Sequence, residues 1–213
     1  MMGLIATALI ALPPPAQSKL LCDWRIEAED PNARVTEQAG VIDIDTRKGL
    51  TLWSMTPVAS PVTIRFEAMA VAEGGANDTA SDLNAFWMAT ETGGGVGPLR
   101  PRHGAFGAYD ELRTYYVGIG GNRNTTTRFR RYVGIPGKRP ILPEHDKRAP
   151  ADLLVANRWT RIALIANGHT VAVERDGVRL FTLHDPQPYS RGYWGLRTTW
   201  SHLRIRRVRV IAR

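Results

Sequence analysis

The sequence predicts an all-β protein, a β-sandwich or jelly roll. About a dozen short segments alternate apolar and polar residues or read as short apolar runs, the pattern of half-buried and core strands. Tight-turn pairs, Asn167-Gly168 and Asp176-Gly177, join consecutive segments at hairpin spacing. No stretch carries the period of a long amphipathic helix, and no internal repeat is visible. The 213 residues suit one sandwich-sized domain, and 43% hydrophobic content is enough for a real core.

The chain opens with twelve mostly apolar residues, MMGLIATALIAL, then three prolines and Ala16-Gln17-Ser18. The apolar run is too short to span a membrane. A short apolar core followed by a turn and a small-residue site reads as a secretory signal peptide over residues 1–18. The expected domain is then residues 19–213, and the expected location is secreted or periplasmic.

The first strand falls in Leu21–Glu29, with Trp24. Val41–Asp45 turns Ile42 and Ile44 inward and both aspartates outward, and Leu50–Trp53 follows. Val62, Ile64, Phe66 and Ala68 alternate with Thr63, Arg65, Glu67 and Met69. After a loop at Gly74–Asp78, Leu83–Thr90 is extended, with Leu83, Ala85, Trp87 and Ala89 opposite Asp82, Asn84, Phe86 and Met88. Residues 93–104 read as a flexible glycine, proline and arginine loop.

Tyr109–Tyr132 is the densest polar stretch: four tyrosines and five arginines in 24 residues, broken by Gly118, Gly120 and Gly121. It reads as a hairpin. Parity places Arg113, Tyr115 and Val117 on one face of its first strand and Thr114, Tyr116 and Gly118 on the other. On the return, Arg128, Arg130 and Tyr132 oppose Phe129 and Arg131. A proline-rich basic loop, residues 134–150, comes next. Trp159–Ala166, Thr170–Arg175, Val178–Leu183, Gly192–Thr199 and Leu203–Ala212 complete the strands. In the last of these the alternation slips, which predicts a bulge or an exposed basic edge.

Net charge is +8, and the basic set is 24 Arg and 4 Lys. Arginine forks onto carboxylate, sulfate or phosphate in two-point fashion, so an anionic partner fits; a GC-rich gene explains the same bias. Nucleic acid is set aside, because no recognition helix or nucleic-acid motif is present. Cys22 stands alone, so there is no disulfide framework and no thiolate metal site. No His/Cys cluster suits zinc and no cofactor is implied. Asn77, Asp78, Asp82 and Asn84 gather oxygen donors around one loop, which suits a structural Ca²⁺.

The closing quarter resembles a known pattern. Trp159, Ile162-Ala163-Leu164, Asn167-Gly168, Val171-Ala172-Val173, Asp176-Gly177 and Gly192-Tyr193-Trp194-Gly195-Leu196-Arg197 are similar to the concanavalin-like (LamG-type) jelly roll. The middle is more specific. Ser81 to Ala89, Tyr115-Tyr116-Val117-Gly118 and Asn124 to Tyr132 resemble secreted bacterial proteins catalogued as a domain of unknown function. These are similar to the YesU-type jelly rolls found with rhamnogalacturonan and uronic-acid polysaccharide use. The resemblance implies carbohydrate work, with a polysaccharide lyase as the first candidate activity. It transfers no catalytic residues.

The residues themselves supply a candidate site. β-Elimination from a uronic-acid polymer needs a group to neutralise the sugar carboxylate, a base for the α-proton and an acid for the leaving oxygen. Tyr116, Tyr132, Arg128 and His145 are the candidate catalytic residues, with flanking arginines expected to favour a tyrosine phenolate. Asn84, Arg113, Asn122, Asn124, Arg130, Arg197 and Trp200 are the candidate substrate-binding residues, and the expected partner is an acidic polysaccharide or oligosaccharide. A non-catalytic carbohydrate-binding module would use the same surface. A retaining glycosidase is disfavoured, because no strand presents paired, alternating acids beyond Asp43 and Asp45.

Overall fold

The computed structural model describes residues 21–93, 95 and 97–212. The stretch read as a signal peptide, residues 1–18, lies outside the described residues. In chain order the strands are β1 (Trp24–Ala28), β2 (Arg34–Gln38), β3 (Val41–Thr46), β4 (Leu50–Ser54), β5 (Val58–Ala59), β6 (Val62–Ala70), β7 (Leu83–Thr90) and β8 (Arg113–Gly120). They continue with β9 (Thr126–Val133), β10 (Asp146–Lys147), β11 (Thr160–Asn167), β12 (Thr170–Arg175), β13 (Val178–His184), β14 (Arg191–Thr198) and β15 (Ser201–Ala212).

Every described pairing is antiparallel, and the strands form two sheets. The front sheet runs β1-β4-β14-β7-β8-β9-β10, with β5 added beside β14. The back sheet runs β13-β12-β11-β6-β15-β3-β2. This is the all-β sandwich of jelly-roll type that the alternation predicts. The main core lies between the sheets, where Leu52, Trp87, Tyr115, Val117, Phe129 and Trp194 of the front sheet meet Ile44, Ile64, Phe66, Leu164, Val173 and Ile205 of the back. Each such large apolar side chain contributes about 1.5–3 kcal/mol on burial. Among the described residues no helix is long and apolar enough to cross a membrane.

The slip in the last strand is a bulge. Pairing of β15 with β6 shifts between Arg206 and Arg209, and Arg207 takes φ +54°. The extra residue lets Arg206 face Glu67 and Arg209 face Arg65 while Val208 still packs on the core. β15 lies between β6 and β3 over Ser201–Arg206; past the bulge Arg209–Ala212 pair with β6 alone, so that half of the strand is also an exposed edge.

The glycine-rich stretch after β7 is not a loose loop. Residues 97–112 fold back over the outer face of the front sheet and build a second core, in which Leu99, Tyr109 and Leu112 cover Trp53, Phe86, Tyr116, Tyr132 and Tyr193. Glu27 pins this cover. Its carboxylate accepts hydrogen bonds from Tyr109 Oη (2.9 Å), Trp53 Nε1 (3.1 Å) and the Arg102 N–H (2.9 Å), and pairs with Arg25 Nη2 at 2.9 Å. Arg102 also forks onto Glu91, and Arg139 forks onto Asp110. Periodicity cannot show such a segment, because its apolar residues follow the surface beneath rather than a period of two. For the same reason β7 and β8 are buried on both faces.

Candidate functional site

Strand register lays the outer face of the front sheet out in rows. One row reads Asp146–Arg128–Gly118–Asn84–Arg197–Thr51–Glu27, from β10 across to β1. The next reads Arg130–Tyr116–Phe86–Gly195–Trp53–Arg25. The cover hides the Phe86, Gly195 and Trp53 end of the second row. What remains open is a pocket of about 700 Å³.

Its floor is Asn84, Tyr116, Gly118 and Arg197. Gly118 matters because it has no side chain. A Cβ there would lie 2.6 Å from Tyr116 Oη and 2.8 Å from Asn84 Oδ1, so only bare backbone leaves room for those two polar atoms in the pocket floor. Asn84 is 2% exposed, and its Oδ1 accepts no hydrogen bond among the described residues. An orphaned buried acceptor costs about 1–3 kcal/mol, a cost a ligand hydroxyl would remove.

Arg197 is buried in the floor. Its Nη1 donates to Thr51 Oγ1 (3.1 Å) and the Gly104 carbonyl (2.6 Å), and its guanidinium lies over Phe106 and Tyr109. Burial pulls its pKa down, while the surrounding tyrosines and Asp82 oppose that. Arg128 forks onto Asp146 with its Nε and Nη2. Arg130 is different: Nη1 donates to the Arg139 carbonyl at 2.8 Å, and no carboxylate pairs with it among the described residues. It is the half-buried cation in this wall left to bind an anion.

The far wall is the turn between β8 and β9. Gly120, Asn122, Arg123 and Asn124 all have positive φ, so this is a left-handed turn and not a segment of α-helix. Asparagine tolerates that geometry better than most residues, which explains the Asn-x-Asn spelling. Gly121, Asn122 and Arg123 line the pocket. Opposite stand Ser81, Asp82 and Trp200, the indole of Trp200 being 66% exposed. Burial raises the Asp82 carboxyl pKa, against the hydrogen bonds of Ser81 and Asn84. Four arginines (Arg123, Arg128, Arg130, Arg197) thus face two acids, Glu29 and Asp82, so the pocket favours an anion.

Several expected site residues lie elsewhere. His145 is buried in the main core, edge-on to Phe129 and Phe181, with Nε2 3.0 Å from the Thr182 carbonyl oxygen. Tyr132 is sealed under the cover and its hydroxyl has no partner among the described residues. Arg113 shares the inner-facing side of β8 and lies over Tyr189. Asn124 has both side-chain polar atoms bonded to the Leu154 backbone, so it fastens the turn instead of facing the cavity. Asn84, Tyr116, Asn122, Arg128, Arg130, Arg197 and Trp200 do line one pocket. The phenolate expectation is overturned. Burial pushes the Tyr116 phenol well up, reinforced by Tyr132 and Asp82, and Arg197 and Arg130 offset only part of this. Tyr132 is likewise raised by burial. Both phenols are protonated at neutral pH. Trp194 of β14 is core, edge-on to Trp24.

The oxygen set read for Ca²⁺ divides. Asp78 caps the Glu73 and Gly75 N–H groups and meets His202, and Asn77 donates to Asp45, while Asp82 and Asn84 turn to the pocket. Among the described residues no group of three or more His, Cys, Asp or Glu is placed to hold a metal ion. The donors do not fit a calcium site.

The sequence did not single out Gly118 or Arg123 as site residues, and it missed Phe106 and Glu29. Phe106, between Ala105 and Gly107, follows no strand period and enters the pocket only because the cover folds back.

Fold and pocket together define a two-sheet jelly roll with a cationic, hydrogen-bonding pocket on the outer face of one sheet. The chain belongs to the family described as Domain of unknown function (DUF6250), whose model matches residues 44–208. No curated protein matches the sequence. Among solved structures it is similar to a Bacillus subtilis protein of unknown function with a galectin-like fold, at 16% identity and TM-score 0.66, covering 93% of this chain and 95% of that one. It is also similar to the carbohydrate binding module CBM66 from Bacillus subtilis, at 10% identity and TM-score 0.60, covering 89% and 96%. A third is the VIP36 exoplasmic/lumenal domain in a Ca²⁺/Man3GlcNAc-bound form, at 13% identity and TM-score 0.59, covering 93% and 86%. At these identities the likeness is one of fold.

Proposed function

We propose that the protein binds an acidic saccharide in the pocket over Gly118. The observation that carries this is the meeting of an arginine without a carboxylate partner, Arg130, with the orphaned Asn84 Oδ1 and the protonated Tyr116 phenol. A uronate ring offers a complement to each: a carboxylate for the arginine fork, a hydroxyl donor for the amide oxygen and an acceptor for the phenol. Trp200 adds an exposed aromatic face at the rim. Two of the similar folds support a sugar ligand, one being named a carbohydrate binding module and the other carrying Man3GlcNAc. With the signal-like residues 1–18, this reading puts the protein outside the cytoplasm.

A second reading, a lyase on the same ligand, is favoured by Tyr116 and Asp82 both opening on the cavity with raised proton affinity. In that reaction Arg130 neutralises the sugar carboxylate and Asp82 removes the α-proton. The electron pair forms the carbon–carbon double bond as the glycosidic C–O bond breaks, and Tyr116 protonates the departing oxygen. Hydrolysis ranks third.

The test is calorimetric titration with a panel of uronate-containing glycans, with absorbance of the unsaturated uronate followed in parallel. Binding is expected, and Arg130→Ala should weaken it about 10- to 100-fold, the value of a charged hydrogen bond. Absorbance growth would establish the lyase; binding without it, and without new reducing ends, would establish the module. Absence of binding to every acidic saccharide would overturn the proposal.

A further inference from the structure

We infer that this pocket takes the end of a glycan chain and excludes an internal stretch; the inference rests on the acidic-saccharide reading above. A polymer crossing a jelly-roll sheet needs a groove open at both ends, and here one end is blocked. The polar row Arg128–Gly118–Asn84–Arg197 runs toward β4 and β1. At Arg197 it meets the cover, whose Gly104 carbonyl accepts the Arg197 hydrogen bond.

Gly104 sits hard on the sheet end. Its φ is +84°, and a Cβ there would lie 2.5 Å from the Glu29 nitrogen, 2.7 Å from the Gly49 oxygen and 2.8 Å from the Ala28 carbonyl carbon. No sugar ring passes between surfaces that leave no room for a methyl group. Glu27 and Glu91 hold this part of the cover down through Arg102, so the block is bonded in place.

The two sides are walled as well. Toward Tyr132, the Phe106 ring packs on Tyr116 with centroids 5.4 Å apart, and Arg139 lies over Phe106 at 4.3 Å. On the other side, Asp82 N–H donates to the Gly120 carbonyl at 3.1 Å, and Ser81 Oγ lies 3.2 Å from the same oxygen, joining the 79–82 segment to the left-handed turn. Past Arg128 the sheet ends at the two-residue edge strand β10. A cavity of about 700 Å³ walled on these sides has the size of a pocket for a compact ligand. The polymer must therefore enter end-on, its terminal uronate over Gly118 and the rest of the chain leaving past Arg128.

The experiment uses one uronate as disaccharide, tetrasaccharide and long polymer, titrated calorimetrically into the intact protein. A sample of the polymer is also sheared to shorter lengths. Terminal binding predicts one protein per chain at every length. It also predicts binding sites per gram of polymer that rise with shearing in proportion to the new ends. Sites per gram that stay constant on shearing, with several proteins on each long chain, would overturn the end-on inference while leaving the acidic-saccharide reading intact. If neither oligosaccharide nor polymer binds, the underlying reading fails and this inference with it.

Discussion

Asn84 shows how the site is built from single residues. Its Oδ1 is buried without a hydrogen-bond donor, while its Nδ2 donates only weakly, to Asp82 Oδ1 at 3.4 Å. Such a group is kept at a cost to stability, so the truncated variant Asn84→Ala should leave thermal stability within about 1 kcal/mol of the parent. Its saccharide affinity should nonetheless fall about tenfold or more. A variant that unfolds early yet binds normally would assign Asn84 a purely structural role. Strand parity sorted Asn84, Tyr116 and the Arg128–Arg130 pair to one face of each of their own strands, since that follows from counting residues; the register of β7, β8 and β9 brings those faces together. Parity could not tell that Tyr132, on the same face as Arg130, would be sealed under another segment, nor that His145 would turn into the core. Nor could it weigh burial against charge. The arginines near Tyr116 were visible in the sequence, but the desolvation that outweighs them was not.

At the scale of elements, two walls of the pocket depend on unusual local structure. In the β8–β9 turn, Arg123 has φ +56° and ψ +48°, a left-handed conformation that costs a residue bearing a Cβ about 1–2 kcal/mol. Arg123→Gly relieves this against glycine's greater chain entropy. The variant should gain about 0.5–1 kcal/mol, seen as a rise of about 1–4 °C in Tm, while anion binding weakens through loss of a pocket cation. A lower Tm would mean that the Arg123 side chain holds the turn by contacts of its own. The opposite wall hangs on His202, whose Nδ1 lies 2.8 Å from Asp78 Oδ1 and whose Nε2 lies 2.9 Å from Asp43 Oδ1. Asp43 also binds Arg204, and Asp45 sits across the strand from His202. Burial lowers the imidazole pKa, but the two carboxylates outweigh it and the net shift is upward. The stabilisation is therefore complete below the unfolded value near pH 6.5 and is lost as pH rises through the higher folded value. Amide protection across residues 72–82, taken relative to the intrinsic base-catalysed exchange rate, should fall over that alkaline window, and His202→Gln should show low protection throughout. Protection that is flat with pH in the parent would show that this segment is held by its backbone bonds alone. Asn77, Asp78 and His202 were legible as polar residues, but the Asp78–His202 pair spans 124 positions and no local pattern contains it.

For the whole molecule, two cores share the front sheet, and only one of them was written in the alternation. The core between the sheets follows from apolar residues two apart in β3, β6, β8 and β11. The second core depends on residues 97–112 returning to the outer face, and Glu27 ties that return to the sandwich. Three donors and one arginine converge on this buried carboxylate. Glu27→Ala leaves these buried partners without their carboxylate, and removing one partner from such a network costs about 3–5 kcal/mol. For a domain of this size that is a fall in Tm of about 6–20 °C. Because the main core is untouched, the far-ultraviolet circular dichroism should keep its β signature below the new midpoint while the near-ultraviolet signal of Trp53 and Tyr109 weakens. The same variant probes the pocket, whose blocked end is held by Arg102 and Gly104 above Glu27 and Glu29. Loosening that end should let a long uronate polymer carry more than one protein per chain, which the parent does not allow. A Glu27→Ala protein that keeps its Tm and its aromatic dichroism would show that hydrophobic contacts alone hold the cover, and the blocked end would then owe nothing to the carboxylate beneath it.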